Sequence, residues 1–212
     1  MKFKSIAVEG PIGVGKTTFV ELLAKKFDAF RILEDVNNPF LKEFYQDKPG
    51  TAFQAQLFFL LSRFRQQQEL SQRDLFSQIA LCDYIFPKDK IFAYLNLDDS
   101  ELMLYDKLYS VLEAQVPKPD LVIFLQADTA RLVERIRKRR REAETGISEA
   151  YVNEVNKAYN YFFFHYSHAP LLVIDTNDID FVEHEEHLDE LVAQIRKMDR
   201  GVQYYRPMGS AG

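Results

Sequence analysis

The stretch EGPIGVGKTTF, residues 9–19, decides how the rest of the chain is read. Gly10, Gly13 and Gly15 space out a loop of the form G-x-x-x-x-G-K-[ST], which ends in Lys16-Thr17. Glycines let a backbone curl until several N–H groups point inward at one anion, and a helix starting there adds the positive end of its dipole. A lysine at this place reaches the β- and γ-phosphates, and the hydroxyl after it can hold Mg²⁺. The spacing therefore predicts a nucleoside triphosphate site on Gly10, Gly13, Val14, Gly15, Lys16, Thr17 and Thr18. The motif alone does not separate a kinase from an ATPase or a GTP switch.

Outward from the loop, five short apolar runs, at 5–8, 31–34, 78–83, 120–126 and 171–175, are each followed by a helical pattern. Helices are predicted over 18–27, from Asn38-Pro39, over 52–71 and 100–115, from Asp128 or Thr129, and over 147–168 and 185–198. Strands alternating with helices predict an α/β fold, a five-stranded parallel sheet with helices on both faces. Ligands in such sheets sit beyond the carboxyl ends of the strands. Acids stand at several of those expected ends, among them Glu9, Glu34 and Asp83.

The chain has 212 residues, 47% of them hydrophobic and 14% aromatic, enough to bury a core. One domain is expected over 1–205, with a lid at about 135–147 and a tail at 206–212. A net charge of −5 argues against nucleic acid or a membrane surface as the partner. The lone cysteine, Cys82, allows no internal disulfide and no zinc spacing. Nothing resembles a signal peptide, and no apolar run approaches the ~18 residues of a membrane helix. A soluble cytoplasmic protein is the expectation.

Other residues narrow the chemistry. Asp47-Lys48-Pro49-Gly50 matches a switch protein's D-x-x-G by letters, but it ends a helix and no N-K-x-D follows. Glu34 is placed to take a proton from an attacking hydroxyl. Asp83 is placed to complete a Mg²⁺ site with Thr17. Seven Lys and Arg residues fall between 131 and 141 of an otherwise acidic chain. Folded over a triphosphate, such arginines would neutralise charge on the transferred group. The bland readings are a capping acid for Glu34, a strand-end Asp for Asp83 and a solvated face for the basic run.

The stretches EGPIGVGKTT, LEDVNNPFLKEFYQDKP, FQAQLFFLLSRFRQQ, RIRKRRREAETGI and the helix to FFFHY together resemble the deoxynucleoside kinase family, which includes deoxycytidine and deoxyguanosine kinases. The resemblance runs from Ile6 to about Asp180. It implies transfer of the ATP γ-phosphate to a deoxynucleoside 5′-hydroxyl, with Mg²⁺ and with deoxynucleoside and ATP as small-molecule partners. It implies that Glu34 is the base, that Tyr45 and Glu144 meet the sugar 3′-hydroxyl, and that Gln56 pairs with the base. Phe59, with Phe53 and Phe58, would line the base slot, and Arg63 would lie near it. It also implies catalytic roles for Lys16, Arg139 and Arg141 and ATP contacts from Arg135 and Arg139. Backbone contacts to adenine would fall on Asn177 to Asp180, with Asn177, Asp178 and Ile179 foremost. Asp83 would serve both substrate and metal.

Two departures stand out. Arg140 replaces a glycine of the family lid, and Asp83-Tyr84-Ile85 stands where the family has an acid, an arginine and a small residue. That arginine helps hold the 5′-hydroxyl and the transferring phosphate; Arg63, Lys88 and Lys90 are the candidates to replace it. The rival reading is a nucleoside monophosphate kinase of the thymidylate kinase type. Its phosphorylated acceptor wants an arginine near the end of the second strand, where this chain has LEDVNNPF. A non-catalytic nucleotide-binding subunit is a further alternative. The stripe Tyr151, Val155, Tyr159, Phe162, Phe163 and Tyr166 is either core or the interface of a homodimer. Purine deoxynucleosides, deoxyadenosine first, are the substrates the resemblance suggests.

Overall fold

The computed structural model describes residues 2–35, 37–46, 48–71, 79–139, 144 and 146–206. Its strands are β1 (Ser5–Glu9), β2 (Phe30–Ile32), β3 (Ala80–Cys82), β4 (Leu121–Gln126), β5 (Leu171–Asp175) and β6 (Val202–Tyr205). Its helices are α1 (Lys16–Phe27), α2 (Leu41–Phe44), α3 (Thr51–Ser71), α4 (Asp89–Asn96), α5 (Asp99–Glu113), α6 (Thr129–Arg139), α7 (Glu149–Phe164) and α8 (Glu185–Lys197). A short 3₁₀ turn covers Phe86–Lys88.

All strand pairs are parallel, in the order β2-β3-β1-β4-β5-β6. Period-two alternation assigns the two faces. Ile6 and Val8, Leu121, Ile123 and Leu125, and Leu172 and Ile174 pack with α1, α6 and α8 on one side. Ala7, Cys82, Val122, Phe124, Leu171 and Val173 pack with α4 and α7 on the other. A third cluster joins Leu60 of α3 to Phe86, Ala93 of α4 and Tyr105 and Tyr109 of α5.

The expected five strands are six. Val202–Tyr205 adds an edge strand on β5, with Leu171 opposite Val202. Three of its four residues are exposed, so it carries little apolar signal. The 3₁₀ turn and α4 were not expected either. Pro39 lies outside α2, before its N-cap Phe40. β2 ends at Ile32, so Glu34 lies two residues beyond it. Helix α5 starts on a capping box in which Asp98 accepts from Ser100 and Glu101 and the Glu101 side chain returns to Asp98 N–H.

The aromatic stripe of α7 is core. Val155, Tyr159, Phe163 and Tyr166 are buried, and Phe163 stacks on Phe124 with centroids 4.1 Å apart. This packing removes the stripe as a dimer face. Phe163→Ala leaves a cavity against the sheet and should lower stability by about 3–5 kcal/mol, read as a lower urea midpoint at an unchanged slope.

Candidate active site

The strand order turns at β1, whose neighbours β3 and β4 continue toward opposite edges. Ligand sites in open parallel sheets form at that point. Here the chain leaves β1 through buried Glu9 and enters the glycine loop. Gly13 holds φ 88°, and a Cβ there would stand 2.8 Å from Leu132 O and from Ile136 Cγ1, so only glycine fits against α6. The loop feeds α1, whose N-cap is Gly15.

A cavity of about 500 Å³ opens over this loop. It is lined by Gly13, Val14, Gly15, Lys16, Thr17, Thr18, Glu34, Tyr45, Gln56, Phe59, Arg63, Asp83, Arg135, Arg139, Glu144 and Ile179. Gly10, Asn177 and Asp178 are not among the lining residues. Gly10 instead gives its carbonyl to Lys16 Nζ at 2.7 Å. Asn177 accepts from Asp128 N–H at 2.8 Å, and Asp178 lies 3.6 Å from Arg206. The wall continues past Ile179 through Asp180, Phe181, Val182 and Glu183, which the sequence reading placed only in part. Phe53 packs in the third cluster and Phe58 lies edge-on to Phe40, which leaves Phe59 at the slot. Arg141 and Arg140 lie outside the described residues.

Asp83 joins three segments. Its Oδ2 accepts from the Thr17 hydroxyl at 2.7 Å and its Oδ1 from Glu34 N–H at 2.6 Å. Glu34 is in turn held by two cations. Arg63 donates to Oε1 from Nε at 2.7 Å and from Nη2, and Lys88 donates to Oε2 at 2.8 Å. Arg63 also pairs with Asp89, which has no exposure. Burial alone would raise the Glu34 carboxyl, but Arg63 and Lys88 outweigh it and bring it down to about 2. Burial, then Lys88, lower Lys16 to about 8 against the pull of Glu9, Glu34 and Asp83.

The lid side carries its own pairs. Arg139 donates to Glu144 from Nε at 2.8 Å and from Nη2. Arg135 donates to Val14 O at 3.3 Å and to Thr176 Oγ1 and O at 3.2 and 2.9 Å, tying the glycine loop to the end of β5. Tyr45 packs edge-on to Tyr151, and burial, with Tyr151 and Glu144 near, pushes its hydroxyl far up and keeps it a donor. Gln56 is buried, and its Oε1 has no hydrogen-bond partner among the described residues.

The family pattern described as deoxynucleoside kinase matches residues 6–199. The chain belongs to the deoxynucleoside kinase family. It is 33% identical to a deoxyguanosine kinase of Bacillus subtilis (strain 168), over 91% of this chain and 96% of that one. It is 32% identical to a deoxyadenosine/deoxycytidine kinase of the same organism, over 90% of each. A solved deoxyadenosine kinase from M. mycoides with bound dATP superposes with a TM-score of 0.78 at 25% identity, over 91% of this chain and 99% of that one. This chain is a nucleoside kinase, and its glycine loop, Glu34 and Gln56 line one cavity.

The place of Tyr84 in this kinase is now clear. Tyr84 is buried in the cluster with Cys82, Ile85 and Val122, and its hydroxyl accepts from Gln67 at 3.1 Å. It does not line the cavity. The charge near Glu34 comes instead from Arg63 and Lys88, while Lys90 lies over the Tyr109 ring at 4.4 Å. Lys138, Phe92, Tyr151 and Tyr159 also line the cavity, and the sequence reading gave none of them a place there.

Folding lowers the Glu34 pKa from its ordinary 4.5 to about 2. The unfolded chain then binds the proton more readily, so the stability Glu34 contributes is complete above about pH 4.5 and lost as pH falls toward 2. Glu34→Gln removes this contribution. Its unfolding free energy should fall less steeply than wild type between pH 4.5 and 2, measured by urea titration.

Proposed function

We propose that this enzyme transfers the γ-phosphate of ATP to the 5′-hydroxyl of a deoxyribonucleoside, giving the 5′-monophosphate and ADP, in nucleotide salvage. The observation that carries the reading is Glu34, an ionised carboxylate facing the cavity whose cations are already engaged. A neutral hydroxyl gains from such a group, while a monophosphate dianion would be repelled by it. The thymidylate kinase type of acceptor is disfavoured for that reason.

The steps follow from the residues. Lys16 and the loop N–H groups hold the β- and γ-phosphates. The Thr17 hydroxyl and the Asp83 carboxylate form a hard oxygen pair, a donor set that suits Mg²⁺ carried in by the triphosphate. The bound ion would offset charge on the phosphates. Tyr45 and Glu144 would hold the sugar 3′-hydroxyl. The acceptor O–H bond breaks and its proton goes to Glu34; the O5′–P bond forms as the bond from phosphorus to the ADP oxygen breaks. Arg139, with Arg141, would stabilise the charge on the phosphoryl group. Arg135 would act on the donor side through its hold on Val14.

Gln56 supports a base with an amino donor. Its buried Oε1, without a hydrogen-bond partner among the described residues, can accept from an N–H on the edge of adenine, guanine or cytosine, while its amide N–H donates to the neighbouring acceptor. Deoxyadenosine is the substrate we place first, on the likeness to deoxyadenosine kinases. We place the reaction in the cytoplasm, where ATP and salvaged nucleosides meet; among the described residues no helix is long and apolar enough to cross a membrane.

We also propose a homodimer. Met103, Leu104, Leu108 and Val111 of α5 and Leu61 of α3 are exposed. Leu104, Leu108 and Val111 share one helix face, an apolar surface that a second copy would cover. Leu108→Glu should convert a dimer to a monomer in light scattering, with the fold retained by circular dichroism; a wild-type monomer would end this reading.

ADP release with MgATP should be seen with deoxynucleosides, deoxyadenosine foremost, and not with their monophosphates. Glu34→Gln should cut turnover ~10²-fold or more, the size of a general-base effect, with nucleoside binding kept within a few fold. Turnover on monophosphates alone would establish the rival kinase. Nucleotide binding without turnover on any acceptor would establish a non-catalytic role.

A further inference from the structure

The charge around Glu34 is unevenly shared between its two oxygens. Arg63 places both Nε and Nη2 on Oε1. A carboxylate oxygen accepts at two lone pairs, so Oε1 is filled. Oε2 accepts one N–H, from Lys88 at 2.8 Å, and among the described residues it has no other hydrogen bond. One lone pair of Oε2 therefore stays open, on a side chain that lines the cavity.

Lys88 ends the 3₁₀ turn Phe86–Lys88 and is 3% exposed. Its Nζ also lies 3.8 Å from Glu9 Oε1, at the end of β1. Glu9 is itself fixed by N–H donors from Gly10 at 3.0 Å and Ile85 at 2.9 Å. The ammonium is thus held between a rigid acid beside the glycine loop and the reactive acid beyond β2. Burial opposes its charge, but Glu34 and Glu9 outweigh burial and raise its pKa. Tyr84 and Lys90 do not share its place: Tyr84 packs away from the cavity and Lys90 lies over Tyr109.

We propose that Lys88 is the positioning residue of this kinase, donating to Glu34 Oε2 so that the remaining lone pair of that oxygen faces the acceptor hydroxyl. The proposal rests on the reading of Glu34 as the base. It makes Oε2, not Oε1, the proton-accepting atom. Glu34 also faces Arg63 from α3, Lys16 at the start of α1, Asp83 after β3 and Tyr45 after α2, with Asp89, Tyr84 and Tyr159 further off. Lys88 adds to the charge felt by both Glu34 and Lys16.

Lys88→Met removes the ammonium and keeps the stem. It should lower kcat about 100-fold, the scale of a displaced base, with the deoxyadenosine KM changed by less than about threefold. Lys88→Arg, which keeps a donor and the charge, should recover kcat to within about tenfold of wild type. Lys88→Gln serves the same comparison if the Met variant does not fold. Wild-type kcat in Lys88→Met or Lys88→Gln, or a Lys88→Arg variant no faster than Lys88→Met, whatever the melting temperature, would overturn the proposal. If in addition Glu34→Gln is inactive, the base reading stands and only the role of Lys88 falls. If wild type phosphorylates no nucleoside, the base reading falls first and this inference falls with it.

Discussion

One carboxylate, that of Asp83, pins together the parts on which the site depends. Through its two oxygens it fixes the first turn of α1 and the backbone of Glu34. These segments are 66 and 49 residues from it in sequence. Beside it the kinase buries the pairs Arg63–Asp89 and Lys88–Glu9, which Glu34 joins through Arg63 and Lys88. Such a group is stable only as a set, because removal of one member leaves a partner charged, dry and alone. The rigidity of the site follows from that interdependence.

The sheet order makes the arrangement possible. With β3 between β2 and β1, the acids that follow β2 and β3 arrive side by side at the edge of the glycine loop. Helix α3 then lays Gln56, Phe59 and Arg63 along one stripe, at spacings of three and four, so one helix supplies the amide, the ring and the cation of the acceptor side. Arg63 lies 4.9 Å from the Phe59 ring, which aligns the guanidinium as it reaches Glu34.

What the sequence could tell depended on how local the signal was. The glycine loop was legible because its spacing is its geometry. The four inner strands were legible because strands covered on both faces are continuously apolar. The edge strand Val202–Tyr205 is short and exposed, and α4 spans only Asp89–Asn96, so neither left a strong pattern. The α7 stripe showed how aromatic periodicity marks a buried face without saying what buries it; here it is the sheet. Lys88 was one of three candidates, because its partner Glu34 is 54 residues away and no spacing records that pairing. Asn177 and Asp178 lie in the loop after β5, but the cavity wall is built by residues from Ile179 onward.

The two cations on Glu34 also set the timing of the proposed reaction. A carboxylate held near 2 is too weak a base to strip a proton from an unreacted alcohol. The hydroxyl must first become acidic, which happens as its oxygen begins to bond phosphorus. In a loose phosphoryl transfer that bond forms late. Proton movement then trails the heavy atoms, and the carboxylate aims the nucleophile before it takes the proton. A solvent isotope effect close to unity is the natural signature of such an ordering.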